Sequence, residues 1–149
     1  MSSIDIKISE TDLAKLRNKI ALLKKESTTK LKSNLGSTAA DIVEIAATNA
    51  PKKNGDLMRS IGFEAKGNSA EIFATAMYAP YQEFGTGTKV DVTDAKKLGI
   101  PPSEIKRLYK GSGKRKVNIN PQPFFFPAVR IGLFKMLKKI EQDLKSITK

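Results

Sequence analysis

The first half of the chain carries one long apolar stripe. Its members recur every three or four positions: Leu13, Leu16, Ile20, Leu23, Leu31, Leu35, Ile42 and Ala46. This spacing predicts an amphipathic helix that begins at Ser9 or Thr11 and ends at Pro51. Gly36 and the Ser-Thr-Thr run at 27–29 predict a break or kink in the middle. We expect the stripe to pack on the domain's own sheet, although its early seven-residue rhythm also fits a coiled coil with a neighbouring subunit.

After residue 56 the period of the apolar positions changes to two. Apolar residues alternate over 57–65 and again over 72–76, around a glycine-containing turn at 67–69. This pattern predicts a β-hairpin. The second strand has apolar side chains on both faces, so we expect it to be central or to meet another subunit. Val117 and Ile119 alternate with polar neighbours and predict a third strand.

Two further helices are predicted in the second half of the chain. Pro101 and Pro102 favour a short helix that runs through Tyr109. Near Pro127 a last helix begins, with an apolar stripe at helical spacing: Leu133, Leu137, Ile140, Leu144 and Ile147. The predicted fold is α+β: a small antiparallel sheet of about three to four strands, packed by a long N-terminal helix and a C-terminal helix. We expect one domain over residues 1–149 with a long basic loop excursion at 89–120.

Composition removes whole classes of chemistry. The 149 residues include no Cys and no His. A Ser-His-Asp arrangement and a thiolate nucleophile are therefore excluded, and a zinc site would need carboxylates alone. No motif indicates catalytic, cofactor-binding or metal-binding residues, so we expect a protein that is not an enzyme and has no cofactor. No apolar run is long enough to cross a membrane and the N-terminus lacks the apolar segment of a signal peptide, which predicts synthesis in the cytoplasm.

Positive charge is concentrated in the excursion. The net charge of the chain is +12, and residues 89–120 carry nine basic against three acidic side chains. The basic side chains are Lys89, Lys96, Lys97, Lys106, Arg107, Lys110, Lys114, Arg115 and Lys116. Such an excess suits phosphate or an acidic protein surface, and it also fits a solvated basic surface. We expect the excursion to be separable from the fold, with Gly111-Ser112-Gly113 as a hinge.

The segment YAPYQEFGTGTK, residues 78–89, looks like a ligand loop but lacks the required spacing. A phosphate-binding loop needs Gly-x-x-x-x-Gly-Lys-Ser/Thr, and neither this segment nor Gly113-Lys114 provides it. Glu83 has no carboxylate partner for glycosidase chemistry, so we expect it to accept hydrogen bonds from its own turn or to pair with a Lys. We expect Tyr78 and Phe84 to be core residues, and Gly85 and Gly87 to reverse the chain with positive φ.

Four motifs in order resemble one protein family. Asn49-Ala50-Pro51 ends the first helix, and GDLMRSI follows at 55–61. YAPYQEFGTGT and PQPFFFPA then flank the excursion. Together they resemble the tail-completion, or head–tail joining, family of long-tailed bacteriophages, over most of the chain. The excursion looks longer and more basic than that family pattern requires. The matching motif residues are Tyr78, Ala79, Tyr81, Glu83, Phe84, Gly85, Thr86, Pro121, Pro123, Phe124, Pro127 and Ala128.

The resemblance implies a structural role in virion assembly. Members of this family act at the neck or the head-proximal end of the tail. The implied partners are therefore other copies of this chain in a ring, with a hexamer as the candidate size, and neighbouring neck and tail proteins. The implied location is the virion, after assembly in the host cytoplasm, with the excursion reaching a neighbour or the channel where DNA passes. A basic nucleic-acid-binding module and another neck component, a tail terminator or head-side adaptor, remain the alternatives.

Overall fold

The computed structural model describes residues 9–53, 55–109 and 118–147. The elements in chain order are α1 Glu10–Asn49, α2 Asp56–Ser60, β1 Ile61–Lys66, β2 Ser69–Ala74, α3 Ala79–Phe84, a 3-10 turn Gly87–Lys89, α4 Thr93–Lys97, α5 Pro102–Tyr109 and α6 Phe125–Ile147. The mixture of helices with a small antiparallel sheet agrees with the predicted fold class, except in the number of strands.

The long helix α1 runs through 40 residues without the predicted break. Ser9 caps it by accepting a hydrogen bond from the backbone N–H of Asp12. In the middle, the hydroxyls of Thr28 and Thr29 donate to the carbonyls of Lys24 and Lys25 at 2.8 and 3.0 Å. These local bonds keep the threonine hydroxyls satisfied inside the continuous helix, so the predicted break does not occur there.

Helix α6 lies antiparallel to the second half of α1. Lys30 contacts Ser146 at one end, and Asn34 donates to the Asp143 carboxylate at 2.7 Å. At the other end the backbone of Gly132 lies against Ile42, where a Cβ would come within 2.1 Å of the Ile42 side chain. The buried face of α6 contains Ala128 and Gly132 rather than the predicted leucine stripe.

The sheet of the described residues has two strands, not the predicted three to four. β1 and β2 pair antiparallel from Ile61 opposite Ala74 to Lys66 opposite Ser69, as the predicted hairpin requires. Residues 57–60, predicted as the start of the first strand, instead belong to α2. Alternation cannot separate a strand from a single helical turn, since both can bury Leu57.

The predicted third strand does not form within the part of the chain described. Residues 118–120 have no strand conformation, and Val117 lies outside the described residues. Ile119 instead pairs with Thr86, beyond the hairpin.

Two clusters form the core. The larger joins α1, the hairpin and the start of α6: Ile42, Ala46, Ala50, Leu57, Ile61, Ala79, Phe124 and Ala128. The smaller contains Phe84, Ala95 and Ile105, with Phe126 packed against it. Ala95 and Ile105 belong to α4 and α5, so the excursion contributes to the core and is not the separable loop that we expected.

Within the described residues, no helix combines the length and apolar character that crossing a membrane requires.

Candidate functional site

The two motifs that flank the excursion lie side by side. We call residues 78–89 and 118–128 together the junction. The backbone N–H of Gln122 donates to the carbonyl of Gln82 at 2.7 Å. Thr86 binds Ile119 twice, since its N–H donates to the Ile119 carbonyl and its hydroxyl accepts from the Ile119 N–H. The two ends of the excursion are thus held together by backbone hydrogen bonds.

Two asparagines extend the junction towards the excursion. The Asn118 side chain accepts a hydrogen bond from the backbone N–H of Thr88 at 3.2 Å. The Asn120 side chain accepts from Lys89 Nζ at 2.7 Å. Both lie outside the family motifs, and sequence reasoning missed them because asparagine beside a variable loop usually indicates only a turn.

Glu83 is the centre of the junction. Its side chain is buried, and one carboxylate oxygen accepts from the N–H groups of Phe124 and Phe125, both at 2.8 Å. The other oxygen accepts from the N–H of Phe126 at 3.0 Å. These groups belong to the N-terminus of α6, where N–H groups have no partner within the helix. Glu83 therefore accepts backbone hydrogen bonds, but from the second motif and not, as we predicted, from its own turn.

Burial raises the pKa of Glu83. The three backbone hydrogen bonds act in the opposite direction, because they favour the ionised carboxylate, while the nearby charge of Asp94 adds to the rise. The carboxylate also lies at the positive end of the α6 dipole, as an anion at a helix N-terminus does. Its surroundings fit an internal cap for α6.

Gly85 lets the two segments approach closely. Its φ is +71°, and a Cβ at this position would lie 2.7 Å from the carbonyl oxygen of Ile119 and 2.9 Å from the Pro121 ring. Gly87 also has a positive φ, of 66°. Both therefore have the positive φ that we predicted, and Gly85 in addition has no room for a side chain.

The aromatic residues of the junction divide into buried and exposed groups. Phe84 is buried, and its ring lies 5.5 Å from that of Phe126. Phe124 is fully buried, whereas Phe125 and Phe126 are half-buried. Tyr78 is 42% exposed, so its prediction as a core residue is wrong.

The remaining motif residues occupy both segments of the junction. Ala79 and Ala128 are buried in the larger core cluster. Tyr81, on the outer side of α3, is 43% exposed. Pro121 and Pro127 are half-buried, and Pro123 is exposed.

The excursion is tied to α6 by charge as well as by packing. The Oδ1 atom of Asp94 in α4 lies 3.6 Å from Nζ of Lys97 and 3.5 Å from Nη2 of Arg130 in α6. Sequence reasoning missed this contact, which joins residues far apart in the chain.

The basic residues predicted for assembly are only partly described. Lys89, Lys96, Lys97 and Lys106 are exposed. The others have no described side chain: Arg107, Lys110, Lys114, Arg115 and Lys116. The Gly111-Ser112-Gly113 hinge also lies outside the described residues.

Among the described residues, the polar groups of the junction form hydrogen bonds that hold its two segments together. Both oxygens of Glu83 are engaged by backbone N–H groups. Among the described residues there is no group of three or more acidic side chains placed to hold a metal ion. The arrangement fixes where α6 begins relative to α3 and brings the ends of the excursion together.

One family comparison gives a match. Residues 14–85 match the family described as "Bacteriophage HK97-gp10, putative tail-component". The matched region runs from the first turns of α1 through the hairpin to Gly85. It contains residues 78–85 of the first junction segment and none of the second. Comparisons with curated proteins and with solved structures give no match.

Proposed function

We propose that this chain, an HK97-gp10-like phage tail component over residues 14–85, is a structural assembly protein of a tailed phage or prophage. In this proposal it forms a ring at the neck or the head-proximal end of the tail and joins head to tail. It does no catalysis and needs no cofactor. The observation that carries the proposal is the family match.

The geometry of the junction supports a role in assembly. A joining protein must present a large surface in a fixed orientation, and the junction fixes the excursion at both ends. Glu83 holds the start of α6, and Asp94 links α4 to Arg130. The exposed lysines at 96, 97 and 106 are thereby displayed on a packed support. We propose that they meet an acidic surface on a neighbouring neck or tail protein.

The test is complementation in the phage or prophage that encodes the chain. Deleting the gene should yield filled heads and separate tails, and supplying the wild-type chain should restore joined, infectious particles. Electron microscopy of the lysate distinguishes these outcomes directly. Normal joined particles without the gene would contradict the proposal, and labelled protein found away from the neck or the upper tail would contradict the location.

A second test separates joining from the other neck roles. If the chain is a tail terminator, its deletion should give tails of irregular length. If it is a head-side adaptor, heads should lose their DNA. Tails of uniform length beside stable filled heads are the result expected for a joining protein.

Nucleic-acid binding is the alternative that the charge favours. The net charge of +12 would give duplex-DNA binding whose affinity falls steeply with salt. A salt titration with the purified chain and a random duplex measures this. Negligible binding near physiological salt would remove this alternative.

A further inference from the structure

The first half of α1 projects beyond the rest of the described structure. The antiparallel register places Lys30 beside Ser146, near the last described residue of α6. Residues 10–26 therefore extend past α6, by about 25 Å at 1.5 Å per residue. Every residue from 9 to 22 is exposed.

The projecting half carries an apolar stripe. Leu13, Leu16 and Ile20 are 38%, 54% and 55% exposed. At about 100° per residue they share a face of α1 with Thr38 and Ile42, which are buried further along the helix. The face that packs inside the molecule thus continues into solvent, so our prediction that the whole stripe packs on the domain's own sheet is wrong for this half.

A second exposed apolar stripe runs along α6. Leu133, Leu137 and Leu144 lie four and seven residues apart on one side of the helix and are 43%, 67% and 51% exposed. From Leu133 to Leu144 the stripe is about 16 Å long, and from Leu13 to Leu23 the α1 stripe is about 15 Å long. The two stripes therefore match in length and in apolar character.

We infer that the projecting half of α1 packs on this exposed stripe of α6 in a second copy of this chain. The contact repeats between copies the pairing of α1 with α6 that the molecule already makes within itself. The patches are different, so the contact runs head to tail and generates a closed ring when its rotation closes. The inference rests on the proposed ring and assigns its interface.

A symmetric pairing of two α1 halves is less favourable. The apolar rhythm from Leu13 to Leu23 covers only about two heptads, below the three or four that indicate an independent coiled coil. With Leu13 opposite Leu23 of the other copy, Arg17 would lie opposite Lys19 of that copy on both sides of the centre, and like charges there are destabilising. Packing on α6 avoids this repulsion at the twofold centre.

Cysteine cross-linking tests the contact in the full chain, which has no cysteine of its own. The double variant Ile20→Cys/Leu137→Cys should form a ladder of disulfide-linked oligomers under mild oxidation. A bridge within one copy is excluded, because residue 20 lies about 28 Å along α1 from the part of α1 that faces Leu137. Mixing the two single variants should give the same bridge as a dimer.

Leu22 supplies the matched control. It is 61% exposed on the opposite side of the projecting half, so Leu22→Cys/Leu137→Cys should give at least tenfold less cross-linked product. Correspondingly, Leu16→Glu/Ile20→Glu should reduce the mass of the assembly in solution to that of a monomer, while Leu22→Glu should leave it unchanged.

Three results would overturn the inference. They are the absence of a ladder from the double variant, an equal ladder from the Leu22 control, and a dimer when the single variants Leu16→Cys and Ile20→Cys are mixed. That dimer would show symmetric pairing, which places residue 16 opposite residue 20. If rings are still seen by electron microscopy in those cases, the proposed function survives and only this interface is wrong. If no ring forms and complementation also fails to depend on the chain, the proposed function itself fails.

Discussion

Glu83 is the residue that connects the two segments of the junction most directly. A buried carboxylate is costly unless its oxygens are hydrogen-bonded, and here three backbone N–H groups of the Phe124–Phe126 segment supply those bonds. Each N–H would otherwise be a buried or half-buried donor without a helical partner. The carboxylate and the N–H groups at the start of α6 are therefore each other's hydrogen-bond partners. Separating the two segments would leave both without those bonds.

Replacing Glu83 by Gln should weaken the fold measurably. Glutamine offers a single acceptor oxygen and turns its NH₂ group towards a backbone donor. We expect Glu83→Gln to lower the free energy of unfolding by about 2 kcal/mol in chemical denaturation, since a buried donor loses its acceptor. The control is Glu71→Gln on the exposed side of β2, which should change it by less than about 0.5 kcal/mol. Equal stability of the two variants would contradict the capping role.

The pH dependence of that difference reports which effect dominates at Glu83. Burial raises the pKa of Glu83 above that of an unfolded Glu, about 4.3. Its contribution to stability is therefore fully present below that value and is lost as pH rises through the folded pKa. We expect the stability advantage of the wild type over Glu83→Gln to shrink as pH rises from about 4.3 through the folded pKa. An advantage that grows over this range would mean that the three hydrogen bonds outweigh burial.

Asp91 should act in the opposite sense. Hydrogen bonds from the hydroxyl and the backbone N–H of Thr93 lower the pKa of Asp91. The stability that this pair provides is present above the unfolded pKa of Asp, about 3.9, and is lost as pH falls through the folded pKa. Comparing the wild type with Asp91→Asn across this acid range separates its contribution from that of Glu83.

At the scale of elements, the molecule is organised by the approach of α6 to α1. Gly132 allows contact between the helix backbone and Ile42, and the polar pair Asn34–Asp143 fixes the register further along. Both are inconspicuous in the sequence, because a glycine inside a helix usually indicates weakness. Here it marks a close contact between the two longest helices.

Two glycine-to-alanine changes should have opposite effects. Gly132→Ala places a methyl group against the fully buried Ile42 and should destabilise by about 1 to 3 kcal/mol. Gly36→Ala in α1 meets nothing within 4 Å and should stabilise by about 0.5 to 1 kcal/mol through helix propensity. Thermal unfolding of both variants measures the contrast. If both variants gained stability, or both lost it, the difference in packing between the two sites would not explain the effect of alanine.

At the scale of the whole molecule, the body and the projecting half of α1 have different roles. The core clusters lie around the second half of α1, the hairpin and α6, while residues 9–22 are exposed throughout. Stability should therefore reside in the body, and association in the projection.

Removing residues 1–22 should separate those roles. We expect the shortened chain to keep its melting temperature within about 4 °C, since a change of less than 1 kcal/mol shifts it by no more than a few degrees. Its assembly in sedimentation velocity should be lost. A large drop in melting temperature with the monomer intact would mean that the projection stabilises the body.

The sequence by itself determined the two long helices and the hairpin, because their apolar spacing and their caps or turns are local patterns. Helical spacing predicted α1 and α6, and alternation around Gly67 predicted the hairpin. Of the two predicted caps of α1, Ser9 and Thr11, the structure has Ser9. The glycines at 85 and 87 were assigned positive φ from residue type alone, because only glycine adopts it without a steric penalty. The motifs also resembled a phage tail family, and residues 14–85 match a family described as a putative bacteriophage tail component.

Tertiary structure alone decided which apolar residues are buried and which partners the polar groups have. Spacing says that Leu16 and Ile42 share a face of α1, but only the length and register of α6 leave Leu16 in solvent while covering Ile42. A buried Glu83 carboxylate requires hydrogen-bond donors. Only the fold brings the N–H groups at the start of α6, on the far side of the excursion in sequence, close enough to donate to it. Periodicity is a property of one segment, whereas burial and pairing depend on segments distant in the chain.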